Sequence, residues 1–347
     1  AIKMSGMNKR ILLKSRPIGE PTKDNFELVE TPVPTPGPGE FRVKVIYMSL
    51  DPYMRGRMGA EKTYAANADV GETMVGGGVG VVEESNNDQF KQGDYVMCAT
   101  GWQSYCLSDG TGVMKLDPDR APISTGVGVL GMPGLTAYYG LLEIGKPQAG
   151  ETVVVAAASG AVGGVVGQIA KIKGCRAIGI AGSAEKCAFV VDELGFDACL
   201  NYKSAEFEEE LAKACPDGID VYFENVGGKV FEAVLPLLND DSRMPVCGLI
   251  SQYNMTDLPV GTNMLPALMR SVLTHRILIQ GFIISFHFHH LPAFLKDASG
   301  WIREGKLKYR EDIVEGIENA PEAFMGLLKG KNFGKLLVRV ADDPTRK

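Results

Sequence analysis

The segment that most restricts this chain is Thr152–Ala156, TVVVA, which runs directly into Ala157-Ala158-Ser159-Gly160-Ala161-Val162-Gly163. An apolar run this short, with no alternation, fits a strand covered on both faces, as in a parallel sheet flanked by helices. After Gly163, residues Val165, Val166, Ile169 and Ile172 fall at helical spacing. Gly160 permits a tight turn, and Gly163 lets the helix approach the sheet. The helix N-terminus then offers unpaired N–H groups to a pyrophosphate. The spacing is AxxGxxG rather than GxGxxG, so the strand–turn–helix context carries the reading.

The alternation continues. Strands are expected at Arg176–Ile180, Ala198–Tyr202, Ile219–Glu224, Met244–Gly248 and Arg276–Ile284. Helices are expected at Ala184–Leu194, Glu206–Ala214, Lys229–Leu238 and about Leu291–Glu304. This is the pattern of a doubly wound parallel α/β sheet of Rossmann type. Residues 11–130 have another texture, with short strands between turns. Arg42–Ser49 alternates with period two, as a half-buried strand does, and follows a Pro/Gly run at Thr31–Gly39. A closed or nearly closed β domain fits that half. The tail Leu336–Val340 reads as a strand returning to it. The expected division is a β catalytic domain at 7–132 plus 310–347, and a cofactor domain at 133–309. Residues 1–6 read as a leader outside the fold, with Met7 as the start.

The end of the second strand discriminates between nicotinamide cofactors. An acidic residue about 20 positions past the glycines would bind a ribose 2′-OH. Here Gly182 and Ser183 stand there, with Lys186 in the first helical turn. A hydroxyl and a cation suit a 2′-phosphate, hence NADPH. Glu185 is expected to point away, although it could be read as the NAD residue, and Lys186 could be a solvated surface lysine. The net charge of −6 argues against nucleic-acid or membrane partners. No apolar run is long enough to span a bilayer. Seven cysteines without a CxxC pair fit reduced thiols in a cytoplasmic protein. No metal site is expected: the cluster His287, His289 and His290 lies within one short segment and reads as loop surface.

These residues resemble the zinc-free branch of the medium-chain dehydrogenase/reductases, which holds prostaglandin reductases, plant alkenal double-bond reductases and bacterial NADPH-dependent curcumin reductases. The markers are SLDPYMRGRM (Ser49–Met58), VLGMPGLTAY (Val129–Tyr138), the glycine loop, AGSAEK (Ala181–Lys186), ENVGG (Glu224–Gly228), CGLISQYN (Cys247–Asn254) and LLKGKNFGK (Leu327–Lys335). The resemblance implies a GroES-like β domain and a homodimer whose sheets join at Arg276–Ile284. It implies pyrophosphate contacts from Gly160, Ala161, Val162 and Gly163, and 2′-phosphate contacts from Ser183, Lys186 and Tyr202. Asn225 would sit beside the cofactor. Cys247, Gly248, Ile250, Ser251, Tyr253, Phe282, Ile283, Ile284 and Asn332 would surround the nicotinamide. Zinc-dependent relatives carry a Cys and a Gly-His-Glu segment where this chain has the neighbourhood of Asp51 and Gly76-Gly77-Gly78. Tyr253 is the first catalytic candidate, bonding the ribose or a substrate carbonyl, or relaying a proton; a binding-only tyrosine is the alternative. Tyr53 and Tyr64 are either pocket walls or packing aromatics. The implied reaction is NADPH-dependent reduction of the C=C bond of an α,β-unsaturated ketone or aldehyde. A quinone reductase of the same fold and a non-catalytic NADPH-binding protein are the alternatives.

Overall fold

A computed structural model describes residues 6–346; most of the expected leader, residues 1–5, lies outside that range. The N-terminal half is β structure. Strand β1 (Met7–Leu13) pairs antiparallel with β2 (Phe26–Pro32). A separate sheet is assembled around β3 (Phe41–Ser49) from β4 (Gly78–Ser85), β5 (Tyr95–Cys98), β6 (Tyr105–Ser108) and β7 (Met114–Leu116). A single helical turn, α1 (Met54–Arg57), follows β3.

Strand β3 departs from the half-buried expectation, for it is buried along nearly its whole length. Phe41, Val43, Val45 and Met48 enter one apolar cluster, while Ile46 and Tyr47 enter another with Ile123 and Val127. Its polar member Arg42 is buried by pairing, at 3.3 Å from Glu83 and 2.9 Å from Glu84. The period-two pattern therefore reports opposite faces, both of which are covered.

Helix α2 (Met132–Tyr139) leads into a parallel sheet of β8 (Thr152–Ala156), β9 (Arg176–Ala181), β10 (Ala198–Asn201), β11 (Ile219–Phe223), β12 (Leu238–Val246) and β13 (Leu278–Gly281). The intervening helices are α3 (Gly163–Ile172), α4 (Ala184–Asp192), α5 (Phe207–Ala214), α6 (Gly228–Val234) and α7 (Leu265–Thr274), and α8 (Leu291–Arg303) follows the last strand. The spatial order is β10-β9-β8-β11-β12-β13. On β8, Val153 and Val155 face one core and Val154 and Ala156 the other, which is why the run lacks alternation in polarity. The strand order reverses between β8 and β11, so the loops leaving their C-terminal ends diverge and open a crevice.

The expected strand Arg276–Ile284 is shorter than the sequence suggested. Only Leu278–Gly281 pairs, in register with Arg243–Val246 of β12. Beyond Val246 its neighbour turns away into the crevice, and Ile284–His290 coils into a 3-10 helix. Among the described residues strand β13 has no neighbour on its outer side. The chain then returns to the β half through β14 (Glu311–Glu315), helix α9 (Ala320–Leu328) and β15 (Lys335–Arg339). Strand β15 sits between β14 and β3, antiparallel to β3.

Candidate active site

The crevice is floored by the loops after β8 and β11. Ala157 leaves β8 with a positive φ of 54°, turning the chain sharply into Ser159-Gly160. A Cβ on Gly163 would lie 2.2 Å from the Ala157 carbonyl oxygen, so only glycine lets α3 start this close to the strand end. The amides of Ala161 and Val162 have no acceptor among the described residues, and no side chain caps α3. They present the free donors that a diphosphate takes. Asn225 Nδ2 donates to the Ala156 carbonyl at 2.9 Å, tying the second loop to the first. Beneath it Glu224 is wholly buried. Its Oε1 accepts from the Tyr222 hydroxyl at 2.8 Å and from the Val226 and Gly227 amides, both at 2.7 Å, while Oε2 has no partner among the described residues. Burial holds this carboxyl above its ordinary range.

Ser183, Lys186 and Tyr202 converge at the end of β9. Ser183 caps α4, its Oγ accepting from the Lys186 amide at 3.1 Å. Tyr202 follows β10, and its ring lies 3.2 Å from where a Cβ on Gly182 would stand. Glu185 is exposed on the next position of α4. Burial, and then the charge of Lys203, lowers the Lys186 pKa. Lys203 is a second cation there that the sequence reading passed over, with its Nζ 5.8 Å from the Tyr202 ring centre. The Lys186 ammonium donates to the Gly330 carbonyl. That loop also holds Asn332, whose Nδ2 donates to Gly334 O at 2.8 Å. Phe333 meets Phe189 of α4 edge-on at 5.1 Å, and the Arg310 guanidinium lies 3.7 Å above the Phe333 ring. Asn332 therefore stands in the loop docked against α4, outside the wall of the main cavity.

That cavity, of about 570 Å³, is lined by Cys247, Gly248, Leu249, Tyr253, Phe282, Ile283, Phe286 and His287, with Val246 and Gly281 at its edge. Ile250 and Ser251 hold its loop to the neighbouring one: the Ile250 amide bonds Asn225 O at 3.2 Å and Ser251 Oγ bonds Val226 O at 2.5 Å. Tyr253 Oη accepts from the Leu249 amide at 3.2 Å. A Cβ on Gly248 would stand 2.9 Å from that oxygen, so glycine makes room for the phenol. Burial raises the Tyr253 pKa, and the phenol stays protonated at neutral pH. With an amide filling its acceptor side, the hydroxyl proton is available to an acceptor in the cavity. Cys247 is pushed up to about 12 by burial, which leaves a neutral thiol rather than a nucleophile.

The Ile284 side chain, at the start of the 3-10 turn, is buried in the apolar core with Phe282 and Phe294. One expectation is corrected here. The histidine segment is not simply loop surface, since His287 lies on the cavity wall. Tyr53 and Tyr64 stand on the β side of the crevice, outside the cavity lining, on either side of Arg57, whose guanidinium is 5.4 Å and 5.0 Å from their ring centres. Tyr64 is close enough to Tyr253 to act on its ionisation. Arg55 crosses the crevice, donating to Asn254 Oδ1 at 3.2 Å and to Gly19 O at 2.8 Å.

Comparison with known proteins identifies the family. Residues 9–116 match the family model for the N-terminal domain of oxidoreductase, and residues 161–299 match that for zinc-binding dehydrogenase. The chain is 55% identical over 337 residues to the NADPH-dependent curcumin reductase of Escherichia coli K12, covering 97% of this chain and 98% of that protein. It belongs to the zinc-free reductase branch of the medium-chain dehydrogenase/reductase family. Another relative, the NADP(+)-dependent 2-alkenal reductase of Nicotiana tabacum, is 41% identical, covering 96% of this chain and 98% of that one. The crystal structure of CurA in complex with NADPH from Vibrio vulnificus superposes with a TM-score of 0.94 at 54% identity, over 96% of this chain and all of that one.

In this medium-chain reductase the region that holds zinc ligands elsewhere is packed shut. A Cβ on Gly76 would lie 2.8 Å from Met54 Cε, and one on Gly78 would lie 2.7 Å from Tyr47 O. Asp51 is occupied by Lys335 Nζ at 2.7 Å and by the Ser49 hydroxyl at 2.5 Å. Among the described residues no three His, Cys, Asp or Glu side chains converge in a metal-binding group.

Proposed function

We propose that this reductase uses NADPH to reduce the C=C bond of α,β-unsaturated ketones and aldehydes. The observation that carries the reading is Tyr253, a protonated phenol whose oxygen is filled by a backbone donor and whose proton is left for an acceptor in an otherwise apolar cavity. The residues fit NADPH: Ala161 and Val162 amides for the diphosphate; Ser183, Lys186, Lys203 and Tyr202 for the 2′-phosphate; Asn225 and the Cys247–Tyr253 and Phe282–Ile283 segments for the nicotinamide end. When bound, the cofactor supplies a hydride to the substrate β-carbon. Tyr253 donates a hydrogen bond to the carbonyl oxygen as it gains enolate charge, the α-carbon then takes a proton from solvent or a tyrosine to give the saturated carbonyl, and Tyr53 and Tyr64 close the β side over the conjugated plane. Asn332 acts from the loop docked on α4. In this reading residues 7–132 and 310–347 form the catalytic domain and 133–309 the cofactor domain, with the substrate bound between them.

The same reading makes the protein a homodimer joined through the unpaired outer side of β13, where Leu278 and Ile279 are exposed. It places the enzyme in the cytoplasm, in keeping with seven unbridged cysteines. No helix of the described residues is long and apolar enough to cross a membrane. The test is NADPH and NADH oxidation with 3-penten-2-one, 2-hexenal and a benzoquinone, with product analysis. Saturated carbonyl products with NADPH are expected, and Tyr253→Phe is expected to lower kcat on the order of 100-fold. Turnover of the quinone alone would overturn the reading.

A further inference from the structure

The segment after Ile283 brings three histidines to the rim of the cavity, and only one of them is built into its wall. The His287 ring lies nearly parallel to the Tyr139 ring, at 4.0 Å between centres and 18° between planes. Tyr139 is itself held by Phe282 at 5.6 Å and by the edge of His290 at 5.0 Å. Tyr139 is buried on α2, and helix packing fixes its position. His287 thus has a rigid aromatic backing on one face, while the rest of the ring belongs to the cavity wall. A ring pinned flat in this way presents a π surface rather than a mobile hydrogen-bonding edge. Among the described residues no carboxylate bonds His287, His289 or His290, and the three do not form a metal-binding group. Burial, and then the neighbouring His289 and His290, lowers the His287 pKa, so the ring is neutral at pH 7 and stacks as an uncharged aromatic. Phe282 and Phe286 complete a wall made of flat rings.

We propose that His287 is a specificity-determining residue, a stacking platform backed by Tyr139 that selects enones whose conjugation extends into an aryl ring over purely aliphatic ones. The proposal rests on the enone-reductase reading and names the substrate class that the site prefers. The aryl end lies on the imidazole while the carbonyl reaches toward Tyr253 on the same cavity wall.

The experiment compares kcat/KM for trans-4-phenyl-3-buten-2-one with that for 3-penten-2-one, using NADPH, in the wild type and in His287→Ala, His287→Leu and His287→Phe. NADPH fluorescence titration of each variant checks that the cofactor site is intact. The aryl-to-aliphatic ratio is expected to fall about 3–10-fold in the Ala and Leu variants, mainly through KM for the aryl enone, and to stay within about twofold in the Phe variant. Leu fills the space without a π face, so a Leu variant that keeps the wild-type ratio overturns the proposal. A Phe variant that falls as far as Ala also overturns it. A wild-type protein that oxidises NADPH with neither enone overturns the reductase reading, and this proposal with it; an unmoved ratio in an active enzyme overturns the platform alone.

Discussion

Replacing Lys335 by Met tests how β15 is held against the segment that follows β3. Lys335 Nζ bonds Asp51 Oδ1 at 2.7 Å and the Leu50 carbonyl at 3.1 Å, with side-chain exposures of 6% for the lysine and 10% for the aspartate. Methionine keeps the straight apolar stem but removes the charge and every donor. Asp51 is then left as a buried charge with only the Ser49 hydroxyl for company, and Leu50 O loses its side-chain donor. Removing one partner of a buried ion pair costs about 3–5 kcal/mol, a large part of the roughly 5–15 kcal/mol that stabilises a domain. At about 2 kcal/mol per molar urea, the unfolding midpoint of the β half falls by about 1.5–2.5 M. Trp102, buried in that core against Phe26 and Phe324, reports the transition, with Trp301 of the other half replaced by Phe. Adding Asp51→Asn removes the stranded charge and should restore at least half of the loss. A single-variant loss below about 1 kcal/mol, or additive costs in the double variant, would refute the assignment of a coupled buried pair.

Three further outcomes follow from the site. Gly163→Ala forces a Cβ to 2.2 Å from Ala157 O; the loop or α3 must move, costing about 1–3 kcal/mol in stability and weakening NADPH binding in fluorescence titration. A variant with wild-type affinity would show that the close approach is not needed. Lys186→Ala should raise KM for NADPH roughly 5–30-fold and leave KM for NADH within about twofold, since only the former carries the 2′-phosphate; equal effects on both would remove Lys186 from that role. Glu224→Gln should flatten a pH dependence. Burial raises the Glu224 pKa in the folded state, so its contribution is fully present below the ordinary value of 4.5 and is lost as pH rises through the raised one. The Tm of the variant minus that of the wild type should therefore grow from pH 4.5 to 8.5, and a constant difference would contradict the burial argument.

The parallel sheet and the glycine loop were legible because TVVVA, Gly160 and Gly163 obey local rules that packing enforces: two covered faces and a backbone approach no Cβ allows. The placement of Ser183 and Lys186 at the end of β9 was legible from position alone. The rest depended on contacts between distant segments. Nothing near Lys186 in the chain foretells Gly330, 144 residues on, and no local pattern puts His287 flat against Tyr139. The burial of Arg42 and of the second face of β3 depends on Glu83, Glu84, Ile123 and Val127, which come from other elements. The early end of β13 follows from where its neighbour β12 turns into the crevice, a property of the sheet rather than of residues 276–284.

The placement of β15 against β3 has a consequence for how the protein is made. Asp51 and Lys335 are 284 positions apart, so at roughly 5–20 residues per second a ribosome takes about 15–60 s to supply the partner after the aspartate has been added. During that interval the Tyr47–Ser49 end of β3 lacks its partner β15, while Phe41–Lys44 can already pair with β6, and the Asp51 carboxylate must stay in water or find another hydrogen-bond donor. The cofactor half, whose strands are contiguous in the chain from β8 to β13, can close first. The β half thus remains an open sheet until β15 has been made, after every strand of the cofactor half is already available.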